Sequence, residues 1–185
     1  IVNHLNNKNE DFLKNYFKSL LNHNFLEKYV TDKQLDNFRW IGLINLFFPN
    51  SKIILCKRNF LSNAISVYKN NFNAASYNWT NDPKDILSYF KYYDKIINLW
   101  KNKFPDKLYE IEYEELVEKK DIMIKKIINF CGLEWDPNCL LFYKSKAPIK
   151  TASAFQARQP IYESSVNKDY SLLKNIFLDQ NFNDI

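Results

Sequence analysis

Apolar residues recur along this 185-residue chain at two different periods. From Asp11 to Tyr29 they fall at Phe12, Leu13, Tyr16, Phe17, Leu20, Leu21, Phe25 and Leu26, intervals of three and four that predict one amphipathic helix. Residues 35–48 carry a similar pattern at Phe38, Ile41, Ile44, Leu46 and Phe47, and Pro49-Asn50 stops it. Residues 52–57 are different: after Lys52 the run Ile53-Ile54-Leu55-Cys56 is short and continuously apolar, which predicts a buried parallel strand. Helical spacing returns over 61–72. In residues 80–85, Thr-Asn-Asp-Pro-Lys-Asp, Asp82 can cap and Pro83 fits the first helical position. That helix is expected to reach Phe104, with Ile86, Phe90, Tyr93, Ile97, Trp100 and Phe104 on one face and Pro105 beyond it. Residues 107–113 read as a second strand, and 121–131 as a helix with Ile124, Ile127, Ile128 and Cys131 inward and Gly132 past its end. Residues 133–142 mix turn signals with a short apolar run, and 143–169 have little periodicity and predict a long ligand-handling loop. The order strand, helix, helix, strand, helix is that of an α/β fold with a parallel sheet, in one domain.

Composition narrows the partners. Hydrophobic residues make up 46% and aromatic residues 17%, enough for a packed core. Trp79, Trp100 and Trp135 are expected in it. The formal charge of +5, from 26 basic and 21 acidic residues, suits an anionic ligand. Basic residues are interspersed with acidic ones, which argues against a nucleic-acid partner. Cys56, Cys131 and Cys139 lack metal-ligand spacing and are expected as reduced, mostly buried thiols in the cytoplasm, with no metal bound. The longest apolar runs are too short to span a membrane. His4 and His23 form neither a metal site nor a triad. With Gly42 and Gly132 as its glycines, the sequence offers no glycine-rich phosphate loop.

The candidate chemistry begins where the first strand ends, at Lys57-Arg58. In open α/β sheets ligands gather at the carboxyl ends of strands. A guanidinium there can give two parallel N–H bonds to a phosphate, and Ser66, on the following helix, adds a hydroxyl donor. The spacing equally suits a surface arginine paired with a carboxylate and a serine chosen for packing.

Three longer stretches, residues 29–59, 109–117 and 128–170, keep an order and internal spacing that resemble sulfotransferases. The likeness is to the bacterial type often fused to tetratricopeptide repeats and related to tyrosylprotein sulfotransferases. It leaves residues 1–28 as an N-terminal helical segment outside a family-like region of 29–170. The resemblance implies a P-loop-like parallel sheet flanked by helices. It also implies transfer of a sulfuryl group from 3′-phosphoadenosine 5′-phosphosulfate to an acceptor hydroxyl or amine. Arg58 and Ser66 would then hold the 3′-phosphate, with Phe60 and Ser62 standing where Pro and Asp are common. Lys33, in Val-Thr-Asp-Lys, would meet the sulfonate or bridging oxygen, where a fixed cation stabilises charge growing on the leaving phosphate. Tyr113 would lie near the nucleotide. In the closing stretch Ser153 would donate to the sulfonate, and Gln156, Arg158 and Lys168 would face the nucleotide around Pro160; Asp169 replaces a common aromatic. Glu114 and Glu115 are read as a solvated helix start, not as an acid–base pair.

The family's Ser-Gly-Thr loop, which wraps the 5′-phosphosulfate, has no counterpart here, nor has its general base. The chain also starts with Ile. The expectation is therefore the C-terminal part of a longer enzyme, incomplete at its N-terminal side and inactive alone. The alternatives are a degenerate, non-catalytic nucleotide-binding or protein-interaction module and, more distantly, a relative of the P-loop nucleotide kinases. Protein tyrosine, carbohydrate and small-molecule acceptors all remain open.

Overall fold

The computed structural model describes residues 29–70, 72, 75–145, 155, 158–161, 166 and 175–177. The helix expected over 11–29 lies outside them except for Tyr29, as does most of 143–169. The chain forms two compact units, residues 1–51 and 52–185.

In the first unit, the single helix expected over 35–48 is two elements. Leu35–Trp40 is a 3₁₀ helix, and helix α1 follows over Ile41–Phe47. Gln34 supplies no side-chain cap, and Trp40 sits at φ −107°, ψ 7° between the two. The tighter 3₁₀ coil eclipses residues three apart, and Arg39 Nε lies 3.4 Å from Asp36 Oδ1 at that spacing. Phe38 and Ile41 are the buried positions. The Phe48 N–H closes α1 on Ile44 O at 2.7 Å.

In the second unit, strand β1 (Ile53–Lys57) pairs in parallel with strand β2 (Leu108–Glu112). Ile53 lies opposite Leu108 and Lys57 opposite Glu112. Parallel strands need a long crossover, and two helices supply it. Helix α2 (Phe60–Lys69) is capped by Asn59, whose side chain accepts the Ser62 N–H at 3.0 Å. A 3₁₀ segment (Ala75–Asn81) leads to helix α3 (Pro83–Lys103). Asp82 caps α3 by accepting the Lys84 N–H at 2.7 Å, with Pro83 opening the first turn as expected. The face of α3 anticipated from spacing is the buried one, with Ile86 and Ile97 inaccessible. Ala64, Ile65, Ile86 and Phe177 form a fully buried cluster, bordered by Phe60, Trp79 and Phe90. Trp79 stacks on Tyr89 with ring centroids 3.7 Å apart.

After β2 come two helices where one was expected: α4 (Tyr113–Glu118) and α5 (Lys120–Phe130), broken at Lys119. Gly132, at φ +69°, ends α5 in the left-handed region. The Gly132 N–H bonds Asn129 O at 2.9 Å and the Leu133 N–H bonds Ile128 O at 3.1 Å, which meets carbonyls the helix leaves open. A 3₁₀ segment, Pro137–Lys144, starts on an Asp136 cap.

Several burial expectations change. Met123 is the fully buried residue of α5, on the same face as Ile124, Ile127 and Ile128, which are half-buried as expected of an inward face. Trp135 is exposed beneath Lys125, whose Nζ sits 5.2 Å from the ring centroid. Cys56 is exposed and Cys131 and Cys139 are half-buried. Along β1, Leu55 is buried, while Ile54 and Cys56 on the opposite face are more exposed, although Ile111 beside Cys56 is buried. No helix among the described residues is long and apolar enough to cross a membrane. The fold of the described residues is thus α/β and mostly helical, around a two-stranded parallel sheet.

Ile65 carries the core of the crossover helices. Ile65→Ala is expected to lower the unfolding free energy by about 2–5 kcal/mol, read as a lower urea midpoint with an unchanged slope.

Candidate functional site

The two strands end flush. Their last paired residues are Lys57 and Glu112, so Arg58 and Tyr113 leave the sheet side by side at its carboxyl edge. The Arg58 guanidinium carbon lies 5.2 Å from the centroid of the Tyr113 ring. One residue further on, the Asn59 N–H donates to Glu114 Oε1 at 2.9 Å. Asn59 then caps α2. Ser66 lies six residues into α2, about 9 Å along its axis; it is half-buried, and its carbonyl accepts from Asn70 Nδ2 at 2.7 Å.

Beneath this edge the sheet carries a charge cluster. Lys57 Nζ lies 3.4 Å from Glu110 Oε1 and 3.7 Å from Glu112 Oε1. Lys101, from the last turn of α3, pairs with the other oxygen of Glu110. Burial alone would push the Glu110 carboxyl up, but the Lys101 hydrogen bond and charge, joined by Lys57, hold it below the usual range. Burial would likewise lower the Lys57 ammonium, and Glu110, Glu112 and Asp94 together raise it. Burial, reinforced by Asp94 and Glu110, pushes the Tyr93 phenol up to about 12. Spacing did not single out this cluster. Its signal was the alternation of acidic residues in Glu110-Ile111-Glu112 opposite Leu55-Cys56-Lys57.

Of the other expected site residues, Lys33 is exposed in the first unit, ahead of its 3₁₀ helix, where Asn37 Nδ2 donates to Asp32 Oδ2 at 3.3 Å. Arg158 is exposed and donates through Nη1 to the Ser145 carbonyl at 2.5 Å. Ser153, Gln156 and Lys168 lie outside the described residues. A cleft of about 300 Å³ opens between the start of α5, residues 140–143 and Pro160-Ile161. Of the positions that resemblance selects, Pro160 lines it.

Comparison with known proteins gives this edge its context. The model of the Sulfotransferase family matches residues 3–137. The chain belongs to the sulfotransferase family. The match takes in the N-terminal segment that the recognisable words left out, and it includes Arg58, Ser66 and Tyr113. It ends before the closing stretch that holds Ser153, Gln156, Arg158 and Lys168. An uncharacterized protein of Aquifex aeolicus (strain VF5) is 40% identical over 141 residues, covering 75% of this chain and 18% of the Aquifex protein. The shared stretch is thus under a fifth of that relative's length.

The charge cluster sets how this sulfotransferase-family chain responds to pH. Glu110, depressed in the fold, stabilises it above the unfolded carboxyl value of about 4.3, and that contribution is lost as pH falls through the lower folded value. Tyr93, raised in the fold, contributes below the free phenol value of about 10, and the contribution is lost as pH climbs to about 12. Chemical denaturation across pH is expected to show a shallower acid limb for Glu110→Gln and a shallower alkaline limb for Tyr93→Phe. The difference in phenolate absorbance between wild type and Tyr93→Phe is expected to titrate at about 12.

Proposed function

We propose that the chain serves sulfuryl transfer from 3′-phosphoadenosine 5′-phosphosulfate, and that the Arg58 edge receives the nucleotide's 3′-phosphate. The observation that carries this is the Arg58–Tyr113 pair at the carboxyl ends of two parallel strands, where open α/β sheets take ligands. The guanidinium supplies two N–H donors in its plane to one phosphate group. Ser66 adds a hydroxyl from α2, and Tyr113 packs along the nucleoside. Gln156, Arg158 and Lys168 face the nucleotide, in a single sulfotransferase-like domain of residues 1–185. Family membership supports this assignment over a nucleotide-kinase relative.

In the reaction the acceptor oxygen or nitrogen attacks sulfur, and the bond from sulfur to the 5′-phosphate oxygen breaks. The electron pair of that bond stays on the phosphate, and the acceptor's proton goes to a base. Such a transfer needs in-line placement and stabilisation of the departing charge more than a covalent intermediate. Lys33 provides the cation for that charge, and Ser153 a donor for the sulfonate. No metal takes part in these steps. A protein tyrosine, a carbohydrate or a small molecule fits the acceptor role. Cys56, Cys131 and Cys139 are free thiols, which suits a reducing, cytoplasmic setting.

Two measurements test this. Titration of the full chain with 3′-phosphoadenosine 5′-phosphate is expected to show tighter binding than with adenosine 5′-phosphate. Arg58→Ala is expected to weaken the former about 10–100-fold, the worth of a charge-assisted bond, and to leave the latter unchanged. Arg58→Lys restores only part, because an ammonium lacks the planar fork. Equal affinity for the two nucleotides overturns the assignment of Arg58, and the absence of any nucleotide binding favours a non-catalytic interaction module.

The second measurement is turnover. With Gly42 and Gly132 as the glycines of these 185 residues, this sequence has no glycine-containing cradle for the 5′-phosphosulfate. The chain by itself is expected to release no 3′-phosphoadenosine 5′-phosphate when mixed with donor and an acceptor panel. Measurable release would contradict this.

A further inference from the structure

We infer that Glu114 is the positioning residue of the Arg58 site: its carboxylate locks the turn carrying Arg58 to the helix start carrying Tyr113. This rests on the reading of that edge as the 3′-phosphate site. The two strands pair at a constant offset of 55 residues, from Ile53 opposite Leu108 to Lys57 opposite Glu112. Beyond Lys57 both chains turn into helices, and the backbone ladder stops. The next bond at the same offset is made by a side chain: Glu114 Oε1 accepts the Asn59 N–H at 2.9 Å, again across 55 residues.

That N–H has left the sheet ladder and, as the N-cap's own amide, has no carbonyl within its helix to meet. The bond lies at the exposed surface, so its worth is in holding the geometry rather than in sparing a buried donor. Glu114 meets that N–H while sitting directly after Tyr113, so one bond ties the first turn of α4 to the turn holding Arg58. The neighbouring Glu115 behaves differently. It pairs with Lys119 at 3.9 Å, one turn along its own helix. The two adjacent glutamates therefore divide into a long-range tie and a local ion pair.

A carboxylate beside a phosphate site would repel the ligand if its charge were what mattered. The geometry requires only an acceptor at Oε1, and a glutamine carbonyl supplies that without charge. Glu114→Gln is therefore expected to keep the Asn59 amide protected from hydrogen exchange and to keep the ring-current shift that Tyr113 gives the Arg58 Nε–H. Its affinity for 3′-phosphoadenosine 5′-phosphate should equal or exceed wild type. Glu114→Ala should lose both signals and weaken that nucleotide about 5–10-fold, the worth of one hydrogen bond, without changing adenosine 5′-phosphate. Glu114→Asp, which draws the acceptor back by one methylene, should fall between them and serves if the alanine variant does not fold.

The measurement is amide and arginine side-chain NMR on the full chain, followed by titration with the two nucleotides. An Arg58 ring-current shift that survives in Glu114→Ala overturns the inference. A glutamine variant that behaves like alanine also overturns it, because charge rather than acceptor geometry would then be at work. If both NMR signals follow Glu114 but wild type does not distinguish the two nucleotides, the tie stands and the 3′-phosphate assignment falls.

Discussion

The parallel register between β1 and β2 is the constraint from which the site follows. Side chains alternate faces along a strand, so a slip of one residue would exchange those faces. Lys57 would then leave Glu110 and Glu112, and buried Leu55 and Ile111 would move out of their packing. The register is thus fixed twice, by apolar burial in the middle of the strands and by ion pairing at their ends. Fixing it also fixes what comes next: the two chains leave the sheet at the same level, and Arg58 meets Tyr113. The crossover through α2 and α3 makes this possible, and its own stability comes from the cluster of Ala64, Ile65, Ile86 and Phe177.

The same register divides the labour of the Lys57-Arg58 pair. The lysine faces Glu110 and Glu112, and Lys101 reinforces the first of these from α3. The arginine turns to the aromatic ring. A basic dipeptide in a sequence offers two cations to an anionic ligand. Here the acidic residues of β2 engage one of them, and the net positive charge of the chain does not translate into a uniformly basic edge.

Much of this architecture was legible in the sequence. The helix start at Asp82-Pro83, the buried face of α3 and the stop at Gly132 follow from local chemistry that tertiary structure did not override. The parallel order followed from the alternation of strand and helical periods. What escaped depends on geometry that has no local period. The short helix over Tyr113–Glu118, broken from the next at Lys119, is one such feature. Trp135 looked like core by type, yet it lies at the surface beneath the Lys125 ammonium. Gln34 lacks a capping side chain, and the first turns after it tighten into a 3₁₀ coil. At the site, resemblance selected Arg58, Ser66 and Tyr113, but not Glu114. Adjacent glutamates after a strand look like a solvated helix start, and a bond across 55 residues is visible only once the register is known.

The Arg58–Tyr113 contact suits an anion site. An arginine held by a carboxylate presents its in-plane N–H groups to that carboxylate, and a phosphate must displace it. An arginine near an aromatic ring is attracted by the negative face of the ring, which needs no carboxylate. The ring also restricts the side chain before any ligand arrives, which lowers the ordering cost of binding. Glu110 and Glu112 lie against Lys57, and Glu114 accepts from a backbone amide. Carboxylates thus help to organise the edge, through ion pairs on the strands and through a bond to the turn that carries Arg58.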